Sequence, residues 1–305
     1  MGRDANTPRL LFVTLSNIGD LVMTTPVLES LHALYPDHVI DVVADQRSGE
    51  LLQPCPYLGE LIWKNKRSSW SDKRKLFRKI RAHHYAVAVD LRGPWLARLA
   101  RASKRARKAS LEPGMHAVEH HFTALAKLSG SDSIPPMKLW LSQLAKDKAN
   151  ELITATPHKK WLAVAPGANW PGKIWPAEQY TAAINLLADS FDGVLVLGNN
   201  ADMPLCRQVV AQSSLPSINL CGQTTLPETA ACLAKATAFI GNDSGLGHMA
   251  AALGIPTLTV FGQGDPTRYR PWGNQAAVVL APNKDLGKLA AEVVAAKLQS
   301  HLATL

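Results

Sequence analysis

Three short stretches combine residues capable of polar chemistry with turn formers that could hold them. The first is Ser16-Asn17-Ile18-Gly19-Asp20, continuing to Thr24-Thr25-Pro26. Gly19 would let the chain turn sharply, and Asp20 stands where a helix should begin. A carboxylate there either caps the helix by accepting a backbone N–H or projects outward as a general base; spacing leaves both open. The second stretch is Pro166-Gly167-Ala168-Asn169-Trp170-Pro171-Gly172-Lys173-Ile174-Trp175-Pro176. A small-residue loop with one lysine, just ahead of a helix that Pro176 starts, suits a phosphate through backbone N–H groups, helix dipole and point charge. The alternative is an exposed surface lysine. It is not a P-loop, since G-x-x-x-x-G-K-[ST] is not satisfied.

The third stretch, Gly241-Asn242-Asp243-Ser244-Gly245-Leu246-Gly247-His248 followed by Met249-Ala250-Ala251-Ala252-Leu253-Gly254, says most. A strand ends at Gly241, and Asp-Ser-Gly opens a helix of small residues that Gly254 closes. The N–H groups of Ser244 to Gly247, with the Ser244 hydroxyl beside them, make an anion site. Asp243 could cap the helix or hold a sugar hydroxyl, and His248 in the first turn could donate to a phosphate or be structural. Two absences narrow the chemistry. No D-x-D carboxylate pair for a metal-bound diphosphate occurs. No G-x-G-x-x-G follows a strand either, which disfavours a dinucleotide oxidoreductase.

These loops need a scaffold, and the remaining sequence supplies one. Apolar, β-branched runs at 10–14, 39–44, 61–63 and 86–90, then at 161–165, 194–198, 217–220, 238–241, 257–261 and 277–280, predict strands. Between them, 26–34, 177–188 and 248–253 carry apolar residues at helical spacing, and 288–302 predicts a closing helix. Strand–helix alternation reads as parallel sheets covered on both faces, an α/β class. Two such series, separated by 131–160 with its Ile134-Pro135-Pro136, predict two doubly wound domains, 1–150 and 151–305. Such sheets bind ligands beyond the carboxyl ends of their strands, so the expected site is a cleft where those ends face each other.

Composition limits the class further. The chain has 305 residues, 47% hydrophobic, 19% charged and 6% aromatic, which excludes disorder and fits two domains. No apolar run approaches the ~20 residues of a membrane-spanning helix, and the first residues, MGRDANTPR, hold no apolar leader. Cys55, Cys206, Cys221 and Cys232 lack C-x-x-C spacing and read as buried free thiols in a reducing, cytoplasmic setting. Residues 1–150 carry 23 Lys and Arg against 14 Asp and Glu, whereas 151–305 carry ten of each. Within 64–108 stand 16 basic residues and only two acids, Asp72 and Asp90. Such a patch is either a solvated helix face or a surface for polyanions.

Taken together, Ser16-Asn-Ile-Gly-Asp20 with Thr24-Thr25-Pro26, Lys173-Ile-Trp175-Pro176, and Asn242-Asp243-Ser244-Gly245-Leu-Gly-His248 resemble the bacterial lipopolysaccharide heptosyltransferases, glycosyltransferase family 9. Gly254-Ile-Pro256, Phe261-Gly262 and Asp265-Pro266 are similar as well. Two departures are Ser244 where Thr is commoner and Leu246 where Pro is common; both keep the hydroxyl and backbone chemistry. The resemblance implies a GT-B fold, two Rossmann-like domains with acceptor bound by the first and donor by the second. It also implies metal-independent inverting transfer from ADP-L-glycero-β-D-manno-heptose to the Kdo–lipid A inner core, without a cofactor. Asp20 matches the catalytic carboxylate and Lys173 the donor-phosphate lysine. Asp243, Ser244, Gly245 and His248 match the donor-binding loop, with Gly247 inside it, and Asp202 is the nearest acid for the nucleoside. The basic first half would then dock the anionic acceptor and the cytoplasmic face of the inner membrane, with Arg92, Arg98, Arg101 and Arg105 as phosphate partners chosen by composition. Competing readings keep the fold with another nucleotide sugar or a protein acceptor, or use the basic patch for nucleic acid. The latter lacks any recognisable helix-turn-helix, RRM or aromatic-interleaved strand.

Overall fold

The computed structural model describes residues 7–64, 69–93, 95–130, 133–153 and 160–305. Residues 1–6 of the N-terminal stretch, 65–68 of the basic window, and 131–132 and 154–159 of the expected linker lie outside the described residues.

The β-branched runs form two parallel sheets, one in each of two units, Met1–Trp140 and Leu141–Leu305. The first sheet contains β1 (Arg9–Val13), β2 (Val39–Ala44), β3 (Leu58–Trp63), β4 (His84–Asp90) and β5 (Arg101–Arg107), in the order β3-β2-β1-β4-β5. The second contains β6 (Trp161–Ala165), β7 (Gly193–Val196), β8 (Ser217–Asn219), β9 (Ala238–Asn242), β10 (Thr257–Phe261) and β11 (Ala276–Leu280), in the order β11-β10-β9-β6-β7-β8. All described pairings are parallel, as in Leu11 opposite Ala88 and Ala163 opposite Phe239. Strand order therefore reverses between β1 and β4 in one sheet and between β6 and β9 in the other. These are the positions where α/β sheets open a crevice.

Burial explains why the strands hold. β6, β7, β9 and β10 are buried along their whole length, and their side chains pack with Trp175, Tyr180, Ile184 and Leu298. Each such side chain contributes about 1.5–3 kcal/mol on removal from water. In the first unit, Leu11, Val13, Val43 and Ile62 lie beneath Ile80 and Ala97 from the helices Trp70–Arg81 and Trp95–Leu99, and beneath Ala100 just beyond the second. All four cysteines are buried and free, and burial pushes the Cys55 and Cys232 thiols up to about 11. Among the described residues no helix is long and apolar enough to cross a membrane.

Two features differ from the sequence expectation. The division falls after Trp140 rather than at 150, because the helix Gln143–Leu152 buries Ala145 and Ala149 and packs against the helix Leu226–Leu233 of the second unit. β5, Arg-Ala-Ser-Lys-Arg-Ala-Arg, was not expected, since it lacks apolar alternation. Backbone pairing with β4 and the packing of Ala102 hold it as an edge strand. The helix Gly245–Ala252, by contrast, opens at Asp-Ser-Gly as expected, with Ser244 at its cap position. Its C-cap is Leu253, followed by Gly254, whose φ of +77° suits the left-handed residue that closes a helix.

Candidate active site

In the first unit the chain leaves β1 through buried Thr14, whose hydroxyl meets that of Thr24 at 2.7 Å. Thr24 and Thr25 in turn donate to the carbonyls of Leu21 and Val22, so both threonines clamp the short helix Ile18–Val22. Ser48 donates to the Ser16 carbonyl at 2.9 Å and pins the loop from its other side. Asp20 does not cap this helix. Asn17 holds the cap position with extended backbone, and Asp20 is the third helical residue. Gly19 is likewise helical and has no positive φ, so the turn is made by Asn17. The Asn17 side-chain amide donates to Asp20 Oδ2 at 2.8 Å, orienting a partly exposed carboxylate at the carboxyl end of β1.

The arginines chosen by composition separate. Arg92 follows β4 at the same rim; it is half-buried, among the charges of Asp45, Asp90 and Lys64. Burial holds both Arg92 and Lys64 below their ordinary pKa values. Arg98 is exposed and lies over the Trp95 ring, 5.6 Å from its centroid. Arg101 opens β5 opposite His84, at the amino end of the sheet, a strand length of roughly 20 Å from the β1 rim. Arg105 donates to the Ala97 and Ala100 carbonyls at 3.0 and 2.9 Å. Its guanidinium thus caps the end of the helix Trp95–Leu99 and is committed to the fold. Asp90 is also structural, accepting from the backbone N–H groups of Arg92, Gly93, Leu96 and Ala97.

In the second unit the loops after β6, β7, β9 and β10 meet at one rim. The residue joining the end of β9 to the loop after β6 is Asn242, which is fully buried. Its carbonyl accepts the Trp175 N–H at 3.0 Å, and its amide donates to the carbonyls of Pro166 at 2.8 Å and Gly167 at 3.4 Å. Asn242 therefore fixes both ends of the loop that carries Lys173. Trp175 is buried too; its indole N–H donates to the Leu289 carbonyl at 3.0 Å and its ring meets Tyr180 edge-on at 4.7 Å. So braced, Lys173 brings its ammonium within 2.6 Å of Asp243 Oδ2, the carboxylate being 8% exposed and the lysine 33%. Asp243 is thus the lysine's ion-pair partner rather than a helix cap.

The cap position of Gly245–Ala252 belongs to Ser244, whose side chain makes no cap bond and whose buried hydroxyl has no partner among the described residues. The first-turn N–H groups and this hydroxyl accordingly point a partial positive charge at the same rim. Gly245 opens the helix, and Gly247 packs beside Thr259 and Phe239, where a side chain would press on Thr259. His248 is buried in the same turn. Asp202 is buried in the turn after β7 and accepts the Asn199 N–H at 2.9 Å. A Cβ at Gly167 would overlap its carboxylate, and one at Gly264 would press on Asp243. Asp202 therefore lies directly against the loop that leads to Lys173.

Sequence reasoning located Lys173, Asp243, Ser244, Gly245, Gly247 and His248 on loops that the structure brings together. It gave no role to Asn242, Trp175 or Gly264. An asparagine ending an otherwise apolar strand was the available signal, since a buried amide requires partners.

Known proteins bear on this rim. The chain is 30% identical to lipopolysaccharide heptosyltransferase 3 of Escherichia coli over 285 residues, 84% of each chain. Its fold is similar to the solved structure of a family 9 glycosyl transferase from Veillonella parvula, with a TM-score of 0.88 at 22% identity and 98% of each chain covered. It is also similar to E. coli heptosyltransferase WaaC with ADP, with a TM-score of 0.79 at 23% identity, covering 96% of this chain and 99% of that one. These likenesses show the two-sheet GT-B fold. The sequence profile of glycosyltransferase family 9 (heptosyltransferase) matches residues 73–298. The chain belongs to that family, and it is a glycosyltransferase.

Proposed function

We propose that this enzyme transfers a heptose from ADP-L-glycero-β-D-manno-heptose to the inner core of lipopolysaccharide, the Kdo–lipid A acceptor, by a single inverting displacement. The observation that carries the reading is the Lys173–Asp243 pair beside the unpartnered Ser244 hydroxyl at the start of a helix. This arrangement of cation, hydroxyl and helix N–H groups suits a diphosphate. The names of the relatives support donor and acceptor: lipopolysaccharide heptosyltransferase 3 at 30% identity, and WaaC with ADP.

In this mechanism Asp20 accepts the proton of the acceptor hydroxyl as its oxygen bonds to the anomeric carbon. The bond from that carbon to the diphosphate oxygen breaks, and ADP leaves with the electron pair. Lys173 and the helix N–H groups stabilise the growing negative charge, and one preorganised donor of this kind contributes about 2.7–4 kcal/mol. Asp243 orients Lys173, Asp202 stands nearest the nucleoside, and His248 donates to the phosphates. Lys64 and Arg92, partly desolvated at the Asp20 rim, favour an anionic acceptor. The positive charge that these groups supply removes the need for a metal ion. The enzyme works at the cytoplasmic face of the inner membrane.

The test is release of nucleoside diphosphate by purified protein from a panel of nucleotide sugars, with heptose-less lipopolysaccharide as acceptor. ADP released from ADP-heptose only when acceptor is present, and equally in EDTA, is the expected result. Preference for another base or sugar overturns the donor, and transfer to a protein in place of lipopolysaccharide overturns the acceptor. Activity abolished by EDTA and restored by Mg²⁺ overturns the metal-independent step.

A further inference from the structure

On the first unit, the helices Trp70–Arg81 and Trp95–Leu99 lie side by side on one face of the sheet, where Ile80, Ala97 and Ala100 share a core. The longer helix is an unusual one. A capping box fixes its start: the Asp72 N–H donates to the Ser69 hydroxyl at 3.1 Å, and the Ser69 N–H donates to the Asp72 carboxylate at 3.0 Å. Arg78, Lys79 and Arg81 complement the dipole at its end. Yet only Leu76 and Ile80 face the sheet, and its outer surface carries six basic residues against the single acid Asp72.

Aromatic rings stand among those cations. Trp70 is 80% exposed, Trp95 71% and Phe77 42%. Each has a cation from its own helix over the ring: Lys73 over Trp70 at 4.9 Å, Arg81 over Phe77 at 5.3 Å and Arg98 over Trp95 at 5.6 Å. Single exposed hydrophobic residues need no explanation. Three aromatics on neighbouring helices, interleaved with Lys and Arg, form the composition that settles at a lipid–water interface. Position adds to composition. Both helices follow the carboxyl ends of parallel strands, so Trp70 and Trp95, first in their helices, stand toward the rim that carries Asp20. Phe77 lies two turns further along.

We infer that this aromatic and basic face seats the enzyme on an anionic lipid bilayer, with Trp70, Phe77 and Trp95 entering the interface and the lysines and arginines meeting lipid phosphates. The inference rests on the proposed reading of a lipid-borne acceptor. It goes beyond that reading by assigning the surface and by giving the aromatics, which composition did not single out, a share in the binding. Docked this way, the rim bearing Asp20 lies beside the leaflet from which the acceptor's sugar protrudes.

The test is sedimentation of the full chain with vesicles of phosphatidylglycerol and phosphatidylethanolamine, against vesicles of phosphatidylcholine. Wild-type protein should bind the anionic vesicles selectively. Trp70→Ser with Trp95→Ser should lower partitioning about tenfold or more, and the loss should persist at high salt, where attraction between charges is screened. Lys73→Glu with Lys75→Glu should lower it at low salt by about fivefold or more for each position. All these side chains are exposed, so melting by circular dichroism should be unchanged. ADP release with a soluble, deacylated acceptor should also stay at the wild-type rate. Wild-type partitioning by both double variants overturns the docking face while leaving the transfer reading intact. Binding of duplex nucleic acid in preference to vesicles, lost in the same variants, overturns it in favour of nucleic acid. Absence of any ADP release from the wild type, with vesicle binding intact, overturns the transfer reading instead.

Discussion

The rims of the two sheets achieve order by different means. In the second unit a buried amide and close packing cross-link the loops: Asn242 bonds Trp175, Pro166 and Gly167, while Asp202 packs against Gly167 and Gly264 against Asp243. In the first unit the Asp20 loop is held by hydroxyls, Thr14, Thr24 and Ser48, and the acid itself is oriented by neighbouring Asn17. One rim is tightly cross-linked, as the proposed seat for a diphosphate requires. The other keeps its acid and cations, Asp20, Lys64 and Arg92, at least partly open, as the proposed role in admitting an acceptor requires.

If the difference is one of chemistry against support, substitutions should separate it. Asp20→Asn should lower kcat by about 10²–10⁴-fold with no change in unfolding, as measured by ADP release and calorimetry; near-normal turnover would remove Asp20 as the base. Lys173→Met should lower kcat by about 10²–10³-fold and weaken ADP binding by titration calorimetry. Unchanged ADP affinity would detach Lys173 from the diphosphate. Asn242→Ala strips partners from three buried backbone groups, so it should destabilise the second unit by about 1–3 kcal/mol and weaken ADP binding without touching nucleotide. Wild-type stability would show that the rim is held by packing alone.

The first unit supplies the smallest and most discriminating pair. Arg92→Ala should raise the KM for an anionic acceptor about tenfold, the loss of roughly one charge-assisted contact, with stability unchanged. Arg105→Ala should do the reverse, costing about 1 kcal/mol of stability and leaving KM alone. Equal effects of the two on KM would return Arg105 to the acceptor surface.

Much of this was legible because parallel α/β sheets write themselves in apolar runs: each of the ten expected strands appears, from β1 to β11, with only end residues displaced. β5 escaped because an edge strand needs backbone partners more than apolar side chains, and Arg-Ala-Ser-Lys-Arg-Ala-Arg offers only two alanines to the core. The Lys173 and Asp243–His248 loops were legible because glycine, proline and a charged residue at a strand end constrain the backbone locally. Asp20's place was read less well. The cap went to Asn17, a choice set by three residues of backbone geometry rather than by side-chain preference, since both are good caps. Asn242 and Arg105 stayed hidden for a common reason: their partners lie 67 to 76 residues away for the first, and in a helix end whose position only the fold defines for the second.

The indole of Trp175 reaches a carbonyl 114 residues later in the chain, at Leu289, and the following helix, Ala291–Leu302, packs on the helix that Lys173's loop introduces. Ribosomal order therefore matters to this loop. Every motif residue has been synthesised well before its last brace exists, so the lysine's seat sets late, and a nascent chain arrested short of Leu289 carries a full set of signature residues on a loop still lacking its keystone.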